Sequence, residues 1–189
     1  MSEQVSLSEQ TENRLKALLG CYPQRKSVTL PALHLAQQEL GWVSDKAVKW
    51  VSERLEIPLK HVIEVATFYT MYYKKPVGKY HVQVCRTLSC MLCGAKDVTA
   101  FLKKRFGLKA GEVSQDGMWS FEEVECLGSC GTAPMVQIND VFFEKLSIDS
   151  LEAILKRVEQ EQPDLRYSTI REELGTGLSD MPRSQAWGA

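Results

Sequence analysis

The sequence predicts an α+β chain, a small N-terminal helical bundle followed by a thin β-sheet carrying helices on one or both faces. Three observations lead to this. Apolar residues recur at helical spacing as far as about residue 76. From residue 79 the pattern changes to the alternation of half-buried strands. Between the two, "KKPVGK" places Pro76 and Gly78 where neither pattern can continue. The predicted organisation is therefore a helical domain over 1–76, a sheet domain over 77–160, and a polar tail over 161–189, either flexible or ordered by a partner.

Each element has a local reason. "SLSEQTENRLKALLG" offers a capping box from Ser6 to Glu9, an apolar face of Leu15, Leu18 and Leu19, and Gly20 as a stop. "LPALHLAQQELG" has Pro31 in a first turn, a stripe of Leu33, Ala36 and Leu40, and Gly41 past its end. Ser44 caps a third helix in which Ala47, Val48, Val51 and Leu55 share a face. A fourth starts near Pro58 and turns Val62, Val65, Ala66 and Tyr69 inward. In the second zone "KYHVQVC" reads as a strand ending at Cys85, and "AKDVTAFLKKRFG" as a helix stopped by Gly107. "MWSFEEVEC" is a second strand ending at Cys126, and "MVQINDVFFEKL" a hairpin turning at Asn139-Asp140. "SIDSLEAILKRVEQE" closes the domain as a helix capped by Ser147 or Asp149.

Composition narrows the function classes. The chain has 189 residues, 44% of them hydrophobic, and a formal net charge of −1, so no basic excess points to nucleic acid or an anionic membrane. No apolar run approaches the roughly 18 residues of a membrane span. The opening "MSEQVSLSEQTENR" has neither a signal-peptide nor a transit-peptide pattern, and a cytosolic or other reducing location is expected. The cysteines should then be thiols or metal ligands, not structural disulfides. No G-x-G-x-x-G opens a helix after a strand, so no dinucleotide site is expected.

Five of the six cysteines fall in two clusters, "VCRTLSCMLCGAKD" and "VECLGSCGTAPM", both at strand C-termini. Spacing supports a metal site but leaves its ligands open. Cys85, Cys90, Cys93 and Cys126 follow the plant-type ferredoxin order and leave Cys130 idle. Cys90, Cys93, Cys126 and Cys130 resemble a structural zinc site, a non-redox role. Cys85, Cys90, Cys126 and Cys130 give one pair per loop, which suits an elongated two-iron rhomb. Cys90 and Cys93 alone could form a thioredoxin-type dithiol.

The strings "LPALHLAQQELGWVS", "EVATFYTMYYKKPVGKYHVQVCRTLSC" and "CLGSCGTAPMVQIND" resemble the 24 kDa [2Fe–2S] subunits of respiratory complex I, the E subunits of bacterial NADH:quinone oxidoreductases. The resemblance covers residues 1 to about 160. It implies a helical region followed by a thioredoxin-like [2Fe–2S] ferredoxin domain. It also implies cluster ligation by Cys85 and Cys90, then, after 35 residues, by Cys126 and Cys130. The implied role is one-electron transfer within an oxidoreductase complex, with FMN and NADH on a partner flavoprotein subunit of the F type. The implied place is peripheral, on the cytoplasmic side of the bacterial inner membrane or the matrix side of a mitochondrial one. Equivalent subunits serve NAD-linked hydrogenases and formate dehydrogenases.

Near the clusters, Gly128 and Gly131 let backbone N–H groups approach sulfur, or simply make a tight turn. Pro134 fixes the loop exit. His34, His61 and His81 read as ordinary packing or surface residues, Cys21 as a packed or idle thiol, and Cys93 as a buried helix-start residue. Phe68, Tyr69, Tyr72 and Tyr73 suit either a core or a partner surface.

Overall fold

The computed structural model describes residues 6–166. They form two compact units that divide between Pro76 and Val77.

The first unit holds α1 (Glu9–Cys21), α2 (Thr29–Leu40), α3 (Asp45–Leu55) and α4 (Leu59–Phe68). Ser8, not Ser6, caps α1. Its Oγ accepts from the Thr11 N–H at 3.3 Å and is held in place by Glu39 of α2 at 2.8 Å. That contact comes from a helix far along the chain, which a local capping pattern does not reveal. Gly20 does not stop the helix either, since α1 continues through Cys21. Gly41 (φ 80°) and Ser44 (Oγ to Ala47 N–H, 3.2 Å) do bound α2 and α3. Trp50, Val51 and Leu55 of α3 meet Leu33 and Leu35 of α2 and Val62 of α4 in a closed core. Tyr69 does not point inward as the stripe suggested, because α4 ends at Phe68 and the chain extends. Tyr72 takes the core position, 2% exposed, with its hydroxyl donating to the Leu30 carbonyl at 2.9 Å. Phe68 lies on the surface, 78% exposed.

Glu12 ties this unit together. Its carboxylate accepts from the indole N–H of the buried Trp50 at 2.9 Å and from one edge of the Arg54 guanidinium, with Nε at 2.9 and 3.0 Å and a terminal nitrogen at 2.8 Å. Partial burial works against ionisation, but the bonds from Arg54 and then Trp50 outweigh it and hold Glu12 below its ordinary 4.5. A depressed carboxyl contributes its full stability above the unfolded-state value and loses it as pH falls through the lower folded-state value. Glu12→Gln should therefore cost about 1–3 kcal/mol at neutral pH. The gap between variant and native chain should close on acidification below 4.5, as read from urea unfolding midpoints across pH.

The second unit is a mixed four-stranded sheet in the order β2-β1-β3-β4. Its strands are β1 (Tyr80–Cys85), β2 (Trp119–Val124), β3 (Val136–Ile138) and β4 (Val141–Phe143). Its helices are α5 (Leu88–Leu92), α6 (Ala95–Phe106) and α7 (Ile148–Glu161). The short α5 is not predicted from the sequence; five residues are too few for a periodic stripe. Tyr80, Val82 and Val84 share one face of β1 and pack with Trp119 and Phe121 under α6 and α7. Arg105 of α6 clasps Glu152 and Glu159 of α7 at 3.1 and 2.8 Å, and Glu159 also accepts from the Trp119 indole at 3.2 Å. The opposite face is polar: His81 contacts Ser120 at 2.8 Å and Glu122 at 3.1 Å, a packing role. The hairpin turns at Asn139 (φ 52°), and Ser147 caps α7 with a full capping box.

β1 and β2 run parallel, pairing Tyr80 with Trp119 through Cys85 with Val124. Antiparallel strands would put the two cysteine clusters at opposite ends of the sheet; parallel pairing puts them at one end. Gly78 allows the close entry to this pair, since a Cβ there would meet the Trp119 carbonyl carbon at 2.6 Å. Residues 162–166, assigned above to the polar tail, pack against the sheet. Leu165 is 1% exposed, and Tyr80 donates its hydroxyl to the Pro163 carbonyl at 2.8 Å. The rest of that tail lies outside the described residues.

Candidate metal centre

Cys85 is the last residue of β1, and Cys90 lies on α5 one turn beyond the strand. Both are buried, each 2% exposed. Cys126 follows β2 by two residues and Cys130 opens a 3-10 turn; both are exposed. The ladder runs past β1 through Arg86 N–H to the Val124 carbonyl at 3.0 Å, so the loops leave the sheet side by side. The Cys126 and Cys130 sulfurs are 3.6 Å apart. The Cys85 and Cys90 thiols are hydrogen-bond neighbours as well. Among the described residues no three His, Cys, Asp or Glu side chains close on one metal-ion position. The thiols stand as two facing pairs, whereas a single zinc requires all its ligands about 2.0–2.3 Å from one point.

Polar groups turn on these sulfurs. Burial pushes the Cys85 thiol up, but the Thr87 hydroxyl (3.3 Å), the N–H groups of Thr87 and Leu127, and Cys90 bring it below the ordinary range. Burial, then Cys85, push Cys90 up to about 11, opposed by the Met135 N–H. Cys126 is held low, first by the Gly128 N–H at 3.4 Å, then by the Thr87 hydroxyl and Cys130. Cys130 is raised, chiefly by Cys126, while the Ser89 hydroxyl pulls it down. Each thiol is thus shifted by others of the same four. Cys93 is not among the groups acting most strongly on them.

Cys93 caps the C-terminal end of α5 and is exposed, not buried as expected, with Gly94 (φ 103°) turning the chain immediately after it. In the dithiol reading of Cys90 and Cys93, an attacking thiol must be accessible and easily ionised, and Cys90 is buried and raised. Cys21 is exposed, its thiol directed to the Ala17 carbonyl at 3.3 Å.

The second loop is pinned from behind. The Glu144 carboxylate accepts from the Ser129 hydroxyl and from the Thr132 hydroxyl (2.6 Å), and the Thr132 carbonyl accepts from the Lys145 N–H at 2.7 Å. Thr87, Ser89, Leu127, Met135 and Glu144 were not singled out from the sequence. The two hydroxyls at the second and fourth positions after Cys85 were the signal available. Of the two loop glycines only Gly128 has the expected role, at φ 86° with its N–H on sulfur. Gly131 has no positive φ, and a Cβ there would meet nothing within 4 Å. Gly128→Ala should therefore destabilise the loop by about 1–2 kcal/mol and Gly131→Ala by much less, measured by thermal unfolding of the purified chains.

Two neighbouring pairs of free thiols, with N–H and O–H groups at sulfur, are a donor set that fits an iron–sulfur cluster. Comparison with known proteins makes the class specific. The chain belongs to the thioredoxin-like [2Fe–2S] ferredoxin family, whose model matches residues 15–159. Among similar proteins, the E subunit of the NADH-quinone oxidoreductase of Rickettsia bellii is 46% identical over 135 residues, 71% of this chain and 81% of the relative. That of Rickettsia felis is 39% identical over 158 residues, 82% and 95% of the two chains. A crystal structure of an NAD+-reducing [NiFe]-hydrogenase in the air-oxidized state superposes with a TM-score of 0.63 at 20% identity, over 72% of this chain and 23% of that one. At that identity the likeness shows the fold alone.

Proposed function

We propose that this chain is the one-electron carrier of an NADH-oxidising module, taking single electrons from FMN on a partner flavoprotein subunit within an NADH:quinone oxidoreductase. The observation that carries the reading is the convergence of Cys85, Cys90, Cys126 and Cys130 at one end of a parallel strand pair, in a chain of this family. In this reading Cys85 and Cys90 hold one iron of a [2Fe–2S] cluster, and Cys126 and Cys130 the other. Such a cluster takes up and releases one electron at a time. The chain's own residues bury one thiol pair, leave the other near the surface, and supply donors that offset the negative charge gathered on sulfur.

The rest of the activity belongs to partners. With all four thiolates committed to iron, none of them remains as a nucleophile. The name shared by the relatives, that of the E subunit of NADH-quinone oxidoreductase, supports a place in that assembly. Among the described residues no helix is long and apolar enough to cross a membrane. Attachment to the cytoplasmic or matrix face would then run through the other subunits.

The test is metal analysis of the natively isolated chain with EPR after dithionite reduction. Two irons per chain and a rhombic signal are expected, while a colourless, zinc-loaded chain would overturn the assignment. Cys85→Ser should abolish or grossly alter the signal, and Cys93→Ser should leave iron content and signal unchanged.

A further inference from the structure

Two hydroxyls between the first pair of cysteines have no local task that explains them. Thr87 occupies the N-cap of α5, where a threonine side chain ordinarily accepts from the helix backbone, yet it makes no capping bond. Its hydroxyl instead lies 3.3 Å from the Cys85 sulfur and also helps to hold the Cys126 thiol low. Ser89, two residues further, pulls the Cys130 thiol down. Both residues are half-buried. A thiol can donate to a hydroxyl, but a thiolate can only accept. Once these sulfurs bind metal, Thr87 and Ser89 must be the donors.

We infer that Thr87, with Ser89 beside it, is a positioning residue that sets the reduction potential of the centre, its hydroxyl proton lent to the Cys85 sulfur. This rests on the cluster assignment above and extends it to residues that touch no metal. An added electron increases the negative charge on sulfur, so each O–H donor stabilises the reduced form more than the oxidised one. Thr87 has one proton to give, and the Cys85 sulfur lies within its reach. The backbone donors of Thr87, Leu127, Gly128 and Met135 remain whatever side chain stands at these positions, so the hydroxyl contribution can be removed separately.

The test uses the full chain with its cluster, titrated with dithionite and followed by visible circular dichroism, with iron content measured in parallel. Thr87→Val, which keeps the shape and removes the hydroxyl, is expected to shift the midpoint to more negative values. The shift should correspond to a fall of the order of tenfold in the reduced-to-oxidised ratio, about 59 mV for one electron. Thr87→Ser should restore the native value, which a purely steric role would not do, and Ser89→Ala should shift in the same direction. A loaded Thr87→Val chain with the native potential overturns this inference and leaves the cluster assignment standing. If Thr87→Val takes up no iron, Ser89→Ala decides, and a native potential there overturns the inference. An iron-free native chain overturns the cluster assignment and this inference together.

Discussion

The parallel pairing of β1 with β2 is the constraint on which the rest depends. Cys85 and Cys126 are far apart in sequence, and only strands running the same way, in the register that sets Cys85 beside Val124, deliver both to one edge. A parallel pair needs a long crossover, which here is α5 and α6, and the first turn of that crossover supplies Cys90. The antiparallel β3 and β4 then bring Met135 to Cys90 and Glu144 to the back of the second loop. Helix cover on one face is joined by the Arg105 clasp between α6 and α7.

The two thiol pairs are not equivalent. Cys85 and Cys90 sit within the apolar cluster formed by β1 and α6, and Cys126 and Cys130 sit on an exposed loop. Electron exchange with a partner favours the exposed side, where the path to the surface is short. The buried side anchors the loop to the sheet core. Leu88 and Leu92, at 74% and 79% exposed, stand on either side of Cys90 along α5.

What was legible in the sequence was what local chemistry decides. Gly41 ends α2 because the chain there needs a positive φ, and Ser44 and Ser147 begin helices because each finds a backbone N–H three residues on. Asn139 turns the hairpin for a similar reason. Contacts made across the fold were not legible. Ser8 displaces Ser6 as a cap because Glu39 holds it, and Tyr69 gives up the core to Tyr72 because α4 stops early. Spacing alone left the cysteine subsets open for the same cause: no periodicity tells which loop faces which. The family strings singled out Cys85, Cys90, Cys126 and Cys130, and the structure brings those four together. Their supporting hydroxyls and amides escaped both approaches, since which donor meets which sulfur depends on how the two loops fold.

The donors are exchanged between the loops. The Leu127 amide of the second lowers the Cys85 thiol of the first, and the Thr87 and Ser89 hydroxyls of the first pull down the Cys126 and Cys130 thiols of the second. Neither segment is a self-sufficient module. Grafting "CRTLSC" onto a foreign scaffold would transplant sulfurs without their amides, and grafting "CLGSC" would leave its thiolates without their hydroxyls. A designer borrowing this centre has to move both strand ends and the register between them as one piece.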